Sequence, residues 1–168
     1  DNDKEQRILS ISNTMKKYTE KDLFVTLLPS FVYVERTLGT GVRKGLVIAL
    51  DLEQYDYKEG SQSLIRATEG TVLDRLPPRI AIRKDAVLET PHIMVLIDDP
   101  EKTVIEPIAD NISEADKLYD FDLMMDGGHI TGYRAERLET IEKIADALTG
   151  LADPQRFQKK YDVGEDKA

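Results

Sequence analysis

Ile8, Ile11, Met15 and Tyr18 recur at three- and four-residue spacing, the period at which side chains share one helix face, and this predicts a helix over about residues 4–19. Asn2 or Asp3 can cap it, and Lys16 and Lys17 stand near its carboxyl end, where the helix dipole favours cations. After Pro29 the pattern changes to Phe31-Val32-Tyr33-Val34-Glu35-Arg36, then Gly39-Thr40-Gly41, then Lys44-Gly45-Leu46-Val47-Ile48-Ala49-Leu50. Two β-branched and aromatic runs around a glycine turn predict a hairpin. The short apolar run at residues 92–97 ends in Asp98-Asp99-Pro100, which reads as a buried strand followed by a cap and a helix-opening proline. Pro107 then makes the following helix short or kinked.

Farther along, Tyr119, Phe121 and Leu123 alternate with Asp120 and Asp122, and Gly127-Gly128 separates them from residues 129–134, which predicts a second hairpin with one wet face. Leu138, Ile141, Ile144, Ala145 and Leu148 form the cleanest helical stripe, ended by Gly150, and Asp153-Pro154 opens a short helix carrying Phe157 and Tyr161. Strands arriving as hairpins, rather than alternating with helices, indicate an α+β fold with a mixed or antiparallel sheet and packed helices. There is no internal repeat and no Gly, Ser or Pro linker.

The 168 residues, 40% hydrophobic and 33% charged, suit one folded domain or a piece of a longer protein, with residues 1–5 and 163–168 expected to fray. A net charge of -9 disfavours nucleic acid and anionic membrane surfaces as partners. Zero cysteines exclude thiol catalysis and thiolate metal sites and fit a reducing compartment. No apolar run approaches the roughly 20 residues of a membrane-spanning helix, so a soluble, cytoplasmic protein is expected.

Charge sharpens one segment. Residues 60–84 hold Arg66, Arg75, Arg79, Arg83 and Lys84 against only Glu69 and Asp74, interleaved with Ser61, Ser63, Thr68, Gly70 and Thr71. Arginine forks, hydroxyls and approachable backbone N–H groups suit phosphate or carboxylate, so this island reads as an anion pocket for a phosphorylated metabolite or nucleotide. The commoner reading of such a segment is a set of arginines paired with an acidic surface, with Pro77-Pro78 as a rigid turn. Glu69 is either a base or magnesium ligand held ionised by a neighbouring arginine, or an exposed ion-paired carboxylate. Asp98-Asp99 offers oxygen ligands to a hard cation, or a helix cap. His92 and His129 are too far apart for a paired zinc motif, and Asp126-Gly127-Gly128-His129 reads better as a hairpin turn than as a catalytic loop. No serine has a nucleophile elbow around it.

Taken together, Phe31-Val32-Tyr33-Val34-Glu35-Arg36-Thr37, Arg43-Lys44-Gly45-Leu46, Ser63-Leu64-Ile65-Arg66-Ala67-Thr68-Glu69-Gly70-Thr71-Val72-Leu73-Asp74-Arg75 and Pro91-His92-Ile93-Met94-Val95-Leu96-Ile97-Asp98-Asp99-Pro100 resemble the bacterial and archaeal family known as domain of unknown function 1015. The resemblance continues through Leu118-Tyr119-Asp120-Phe121-Asp122-Leu123 and Gly127-Gly128-His129-Ile130 to Ala152-Asp153-Pro154. It implies a longer protein, continuing into a segment with an Asp-Gly-Asn-His or Asp-Gly-His-His core. That segment is similar to one in the ParB-like fold, which also hosts kinases of free serine. The resemblance thus implies phosphoryl chemistry on a small metabolite, with a nucleotide and magnesium as cofactors. Arg66, Thr68, Thr71 and Arg75 are then expected as ligand-binding residues and Glu69 as a catalytic one, while the principal catalytic acid lies outside this chain. The other expectation is a non-catalytic module that senses a ligand or binds a protein.

Overall fold

A computed structural model describes residues 2–56, 58, 60, 61, 63, 65–68 and 70–168, and divides the chain into two units. The first comprises Asp1–Leu27 and Asp56–Leu96, the second Leu28–Tyr55 and Ile97–Ala168.

In the first unit, α1 spans Asn2–Glu20 and α2 spans Leu76–Arg83. The covered positions of α1 are Ile8, Ser12 and Met15, whereas Ile11 and Tyr18, expected on the same stripe, are exposed. A serine at the most buried position lets the helix lie close to its neighbour, and the Ser12 hydroxyl donates to the Asp85 carbonyl just beyond α2 at 2.9 Å. Pro77 and Pro78 stand in the first turn of α2, where missing N–H groups cost nothing, so they open a helix rather than form a free turn.

The second unit carries β1 (Phe31–Leu38), β2 (Gly41–Val47), β3 (Lys117–Asp122) and β4 (His129–Ala135), in the antiparallel order β2-β1-β4-β3. Both predicted hairpins are present, and the α+β class with an antiparallel sheet is the observed one. Gly39-Thr40 forms the first turn, with Leu38 opposite Gly41. Three helices accompany the strands: α3 (Glu106–Ala109) between β2 and β3, and α4 (Leu138–Leu151) and α5 (Pro154–Tyr161) after β4. Pro107 lies in the first turn of α3 and does not interrupt a longer helix.

The core forms where one sheet face meets these helices. Tyr33 and Ala135 from the sheet pack with Ile108 of α3 and Ile144 of α4, flanked by Phe31, Leu46, Tyr133 and Leu148. On the opposite face the Tyr119 ring lies over Gly132, where an added Cβ would come within 2.1 Å of the ring; no residue larger than glycine fits beneath it.

The expected buried strand at residues 92–97 is not formed. The segment belongs to no strand, and Ile93 is 88% exposed, with Met94 and Leu96 nearly as open. An apolar run specifies a strand only where a ladder can receive it, and among the described residues none pairs with this one. Truncation should separate these two kinds of apolar residue. Ile144→Ala is expected to cost about 2–5 kcal/mol and Ile93→Ser less than about 0.5 kcal/mol in urea unfolding, and equal losses would contradict the observed packing.

Candidate functional site

The basic island folds as an extended approach to α2 followed by the helix itself. Arg66, Thr68, Thr71 and Arg75 are all exposed, and no ion pair joins Arg66 or Arg75 to a carboxylate among the described residues. Glu69, the expected catalytic carboxylate, lies outside the described residues. A tight turn over Leu73–Arg75 leads into α2. Residues on successive helical turns then share a side, which aligns Arg79, Ile80, Arg83 and Lys84.

These four, with Thr71 and Leu76, line a hollow of about 460 Å³. Thr71 is thus the one expected ligand-binding residue that reaches it, and Arg66, Thr68 and Arg75 do not. Arg79, Arg83 and Lys84 were visible in the sequence only as charge. Their helical spacing could have picked them out, had Pro77-Pro78 been read as a helix start. Arg83 Nε donates to Glu89 Oε2 at 2.6 Å, and that carboxylate raises the guanidinium's pKa further. Arg79 and Lys84 have no such partner among the described residues. The hollow therefore presents two uncompensated cations, one shared cation, a hydroxyl and two aliphatic walls. Such a set can bind an anion carrying an apolar body.

A second cluster stands at one end of the sheet. His129 opens β4 opposite Asp122, the last residue of β3, and Asp120 follows opposite Thr131. The imidazole Nδ1 is 2.8 Å from Asp122 Oδ1 and Nε2 is 2.6 Å from Asp120 Oδ1. Lys117 Nζ donates to the other oxygen of Asp120 at 2.7 Å and pairs with Glu114 at 2.8 Å. Lys117 and Asp120 would fall on opposite faces of a regular strand. A bulge between Lys117 and Tyr119 shifts the register and puts both on one side. Asp122 first, then Asp120, raises the imidazole's pKa, and Lys117 first, then His129, lowers that of Asp120. The i, i+2 spacing of the two aspartates and the two-glycine turn before His129 encoded this arrangement, but only the pairing register joins them.

Asp98 and Asp99 act as anchors within the second unit. Asp99 accepts from the Thr103 hydroxyl at 2.8 Å and the Val104 N–H at 2.9 Å, and Arg156 of α5 lies 3.5 Å away. Asp98 accepts from Lys160 and, at 2.5 Å, from the Tyr161 hydroxyl. Both carboxylates are engaged by protein donors, but neither caps a helix: residues 100–101 form a turn and α3 begins only at Glu106, so the expected cap and helix-opening proline are not formed. Burial works against ionisation of Asp99, but its hydrogen bonds from Thr103, Val104 and Arg156 outweigh it and lower the pKa. Lys160 first, then Tyr161, lowers that of Asp98. Among the described residues no group of three or more histidine or acidic side chains is arranged to hold a metal ion, and no helix is long and apolar enough to cross a membrane.

A family model described as protein of unknown function (DUF1015) matches residues 1–159 of the 168. No curated protein and no solved structure matches the chain.

Asp99→Ala strands the N–H of Val104, which is only 2% exposed, and is expected to cost about 1–3 kcal/mol by chemical denaturation. Since the folded values of Asp98 and Asp99 lie below normal, their contribution is complete above the ordinary carboxylate range near pH ~4. It should fade as pH falls through the lowered values. Acid unfolding followed in wild type and Asp99→Ala should therefore converge at low pH, and a constant gap between them would contradict this role.

Proposed function

The chain belongs to the DUF1015 family of proteins of unknown function, and from that premise we propose that it forms the anion-holding part of an enzyme acting on a phosphorylated small metabolite or nucleotide. The observation that carries this reading is the hollow on α2, where Thr71, Arg79, Arg83 and Lys84 gather positive charge in a chain of net charge -9. Arginine forks and an ammonium group bind phosphate oxygens directly, and Leu76 and Ile80 offer an apolar wall to the rest of the ligand. Arg66, Thr68 and Arg75 precede the hollow in the same unit without lining it, and in this proposal they hold parts of the ligand that extend beyond it, with Glu69 assisting proton transfer. Among the described residues the hollow's lining contains no carboxylate, so these residues do not by themselves hold a magnesium ion.

A non-catalytic module that senses a ligand or binds a protein is favoured by a different observation. In the first unit Val25, Ile93, Met94 and Leu96 are large apolar residues left open to water, more than scattered surface leucines require.

Thermal unfolding in the presence of pyrophosphate, nucleotides and phosphorylated sugars tests the anion-binding reading. A ligand at a hundredfold excess over its dissociation constant should stabilise the protein by about 2.7 kcal/mol. Arg79→Ala should then weaken binding by about ten- to a hundredfold, the loss of one charge-assisted contact, and Arg66→Ala by less. Absence of stabilisation by every phosphorylated compound, or equal stabilisation of wild type and Arg79→Ala, would overturn the proposal.

A further inference from the structure

The geometry points to a proton-operated clamp at the turn end of the β3–β4 hairpin, formed by His129 between Asp120 and Asp122. Both ring nitrogens lie within hydrogen-bond distance of carboxylate oxygens, at 2.8 and 2.6 Å. A carboxylate can only accept, so both contacts are favourable only when each nitrogen carries a proton, and imidazolium alone has two N–H groups. In either neutral tautomer one nitrogen turns its lone pair on a carboxylate at that distance, and one contact must open.

The surroundings decide which one. Asp120 is also held by Lys117, which is itself paired with Glu114. Asp122 is 89% exposed at its side chain and has no partner besides His129 among the described residues. Across the ladder on β1, Thr37 faces His129 and Glu35 faces Thr131, and Glu35 is engaged by the Tyr33 hydroxyl at 2.6 Å. On β2, Val42 lies opposite Thr37 and Lys44 opposite Glu35. None of these competes for Asp122, so loss of the proton releases Asp122.

Asp122 ends β3 and leads directly into the loop at residues 123–128. At the loop's tip Met124 and Met125 are exposed, Met125 by 93%, and Met125 and Asp126 hold positive φ angles of 58° and 55°. Such an angle is uncommon for methionine, whereas aspartate tolerates it in turns. Three other ties remain when Asp122 leaves: the Leu123 N–H to the Gly128 carbonyl at 2.8 Å, the Gly127 N–H to the Met124 carbonyl at 3.2 Å and Arg36 Nε to the Gly127 carbonyl at 2.8 Å. Release therefore loosens the loop without undoing the hairpin. The clamp closes where His129 is protonated between the two carboxylates. The raised imidazole value places the loosening above the ordinary histidine range, near pH ~6.5.

The test is a histidine ring titration by NMR, with His129 assigned by comparison with His92→Gln, together with amide exchange at residues 123–128 across the same pH range. His129 should titrate above its ordinary value, and exchange protection of the loop, corrected for intrinsic rates, should fall with the same midpoint. Asp122→Asn should lower the His129 midpoint and remove the pH dependence of the loop while leaving protection in β1 and β4 unchanged. A His129 midpoint at or below its ordinary value, or loop protection that does not follow the titration, would overturn the clamp.

Discussion

Tyr33 has to bury an aromatic ring and a hydroxyl at one position in the interior of the sheet, and the second unit is built around how it does so. Its side chain is 1% exposed beneath α3 and α4, with Leu46 and Tyr133 beside it across both neighbouring ladders. The hydroxyl escapes an unpaired burial by donating to Glu35, two residues along the same strand face. Burial, reinforced by that carboxylate, raises the phenol's pKa well above its ordinary value and keeps it a donor. Strand alternation then divides the face. Phe31 and Tyr33 take the apolar end under the helices, and Glu35 and Thr37 take the other.

That division explains why charged chemistry collects where it does. Thr131 and His129 continue β4 beyond Tyr133 as the helices give out, and β3 lays Asp120 and Asp122 alongside them. Water reaches this end, so an aspartate–histidine–aspartate contact can form without the penalty of burying three ionisable groups. Tyr119 over Gly132 secures the opposite face, and the bulge beside it delivers Lys117 to Asp120. The acidic turn at Asp98 and Asp99 holds α5 by ion pairs and a hydroxyl contact, which leaves these aspartates structural.

The first unit distributes its charge differently. Ser12 rather than an aliphatic residue occupies the closest approach of α1 to the chain beyond α2, and most of the large apolar residues at 92–97 stay open. A group of its cations, Arg79, Arg83 and Lys84, shares one side of α2, and of these three only Arg83 has a near carboxylate among the described residues. A prolyl start at Pro77-Pro78 fixes where that helix begins and hence which cations share a side.

Periodicity alone determined the helices around Ile8, Ile144 and Phe157, both hairpins and the α+β class, because each depends on neighbours a few residues apart. Composition also located the basic island, since charge density is a local property. What the tertiary structure decided was partnership. Residues 92–97 carry a strand-like pattern with no ladder to join, and Asp98-Asp99 meets Arg156, Lys160 and Tyr161 from more than 50 positions away. Of the expected anion-binding residues only Thr71 reached the hollow, because α2 turned Arg79, Arg83 and Lys84 to its side. His129 and its two aspartates were legible as residues but not as a unit, since the pairing register that joins them is set by the whole sheet.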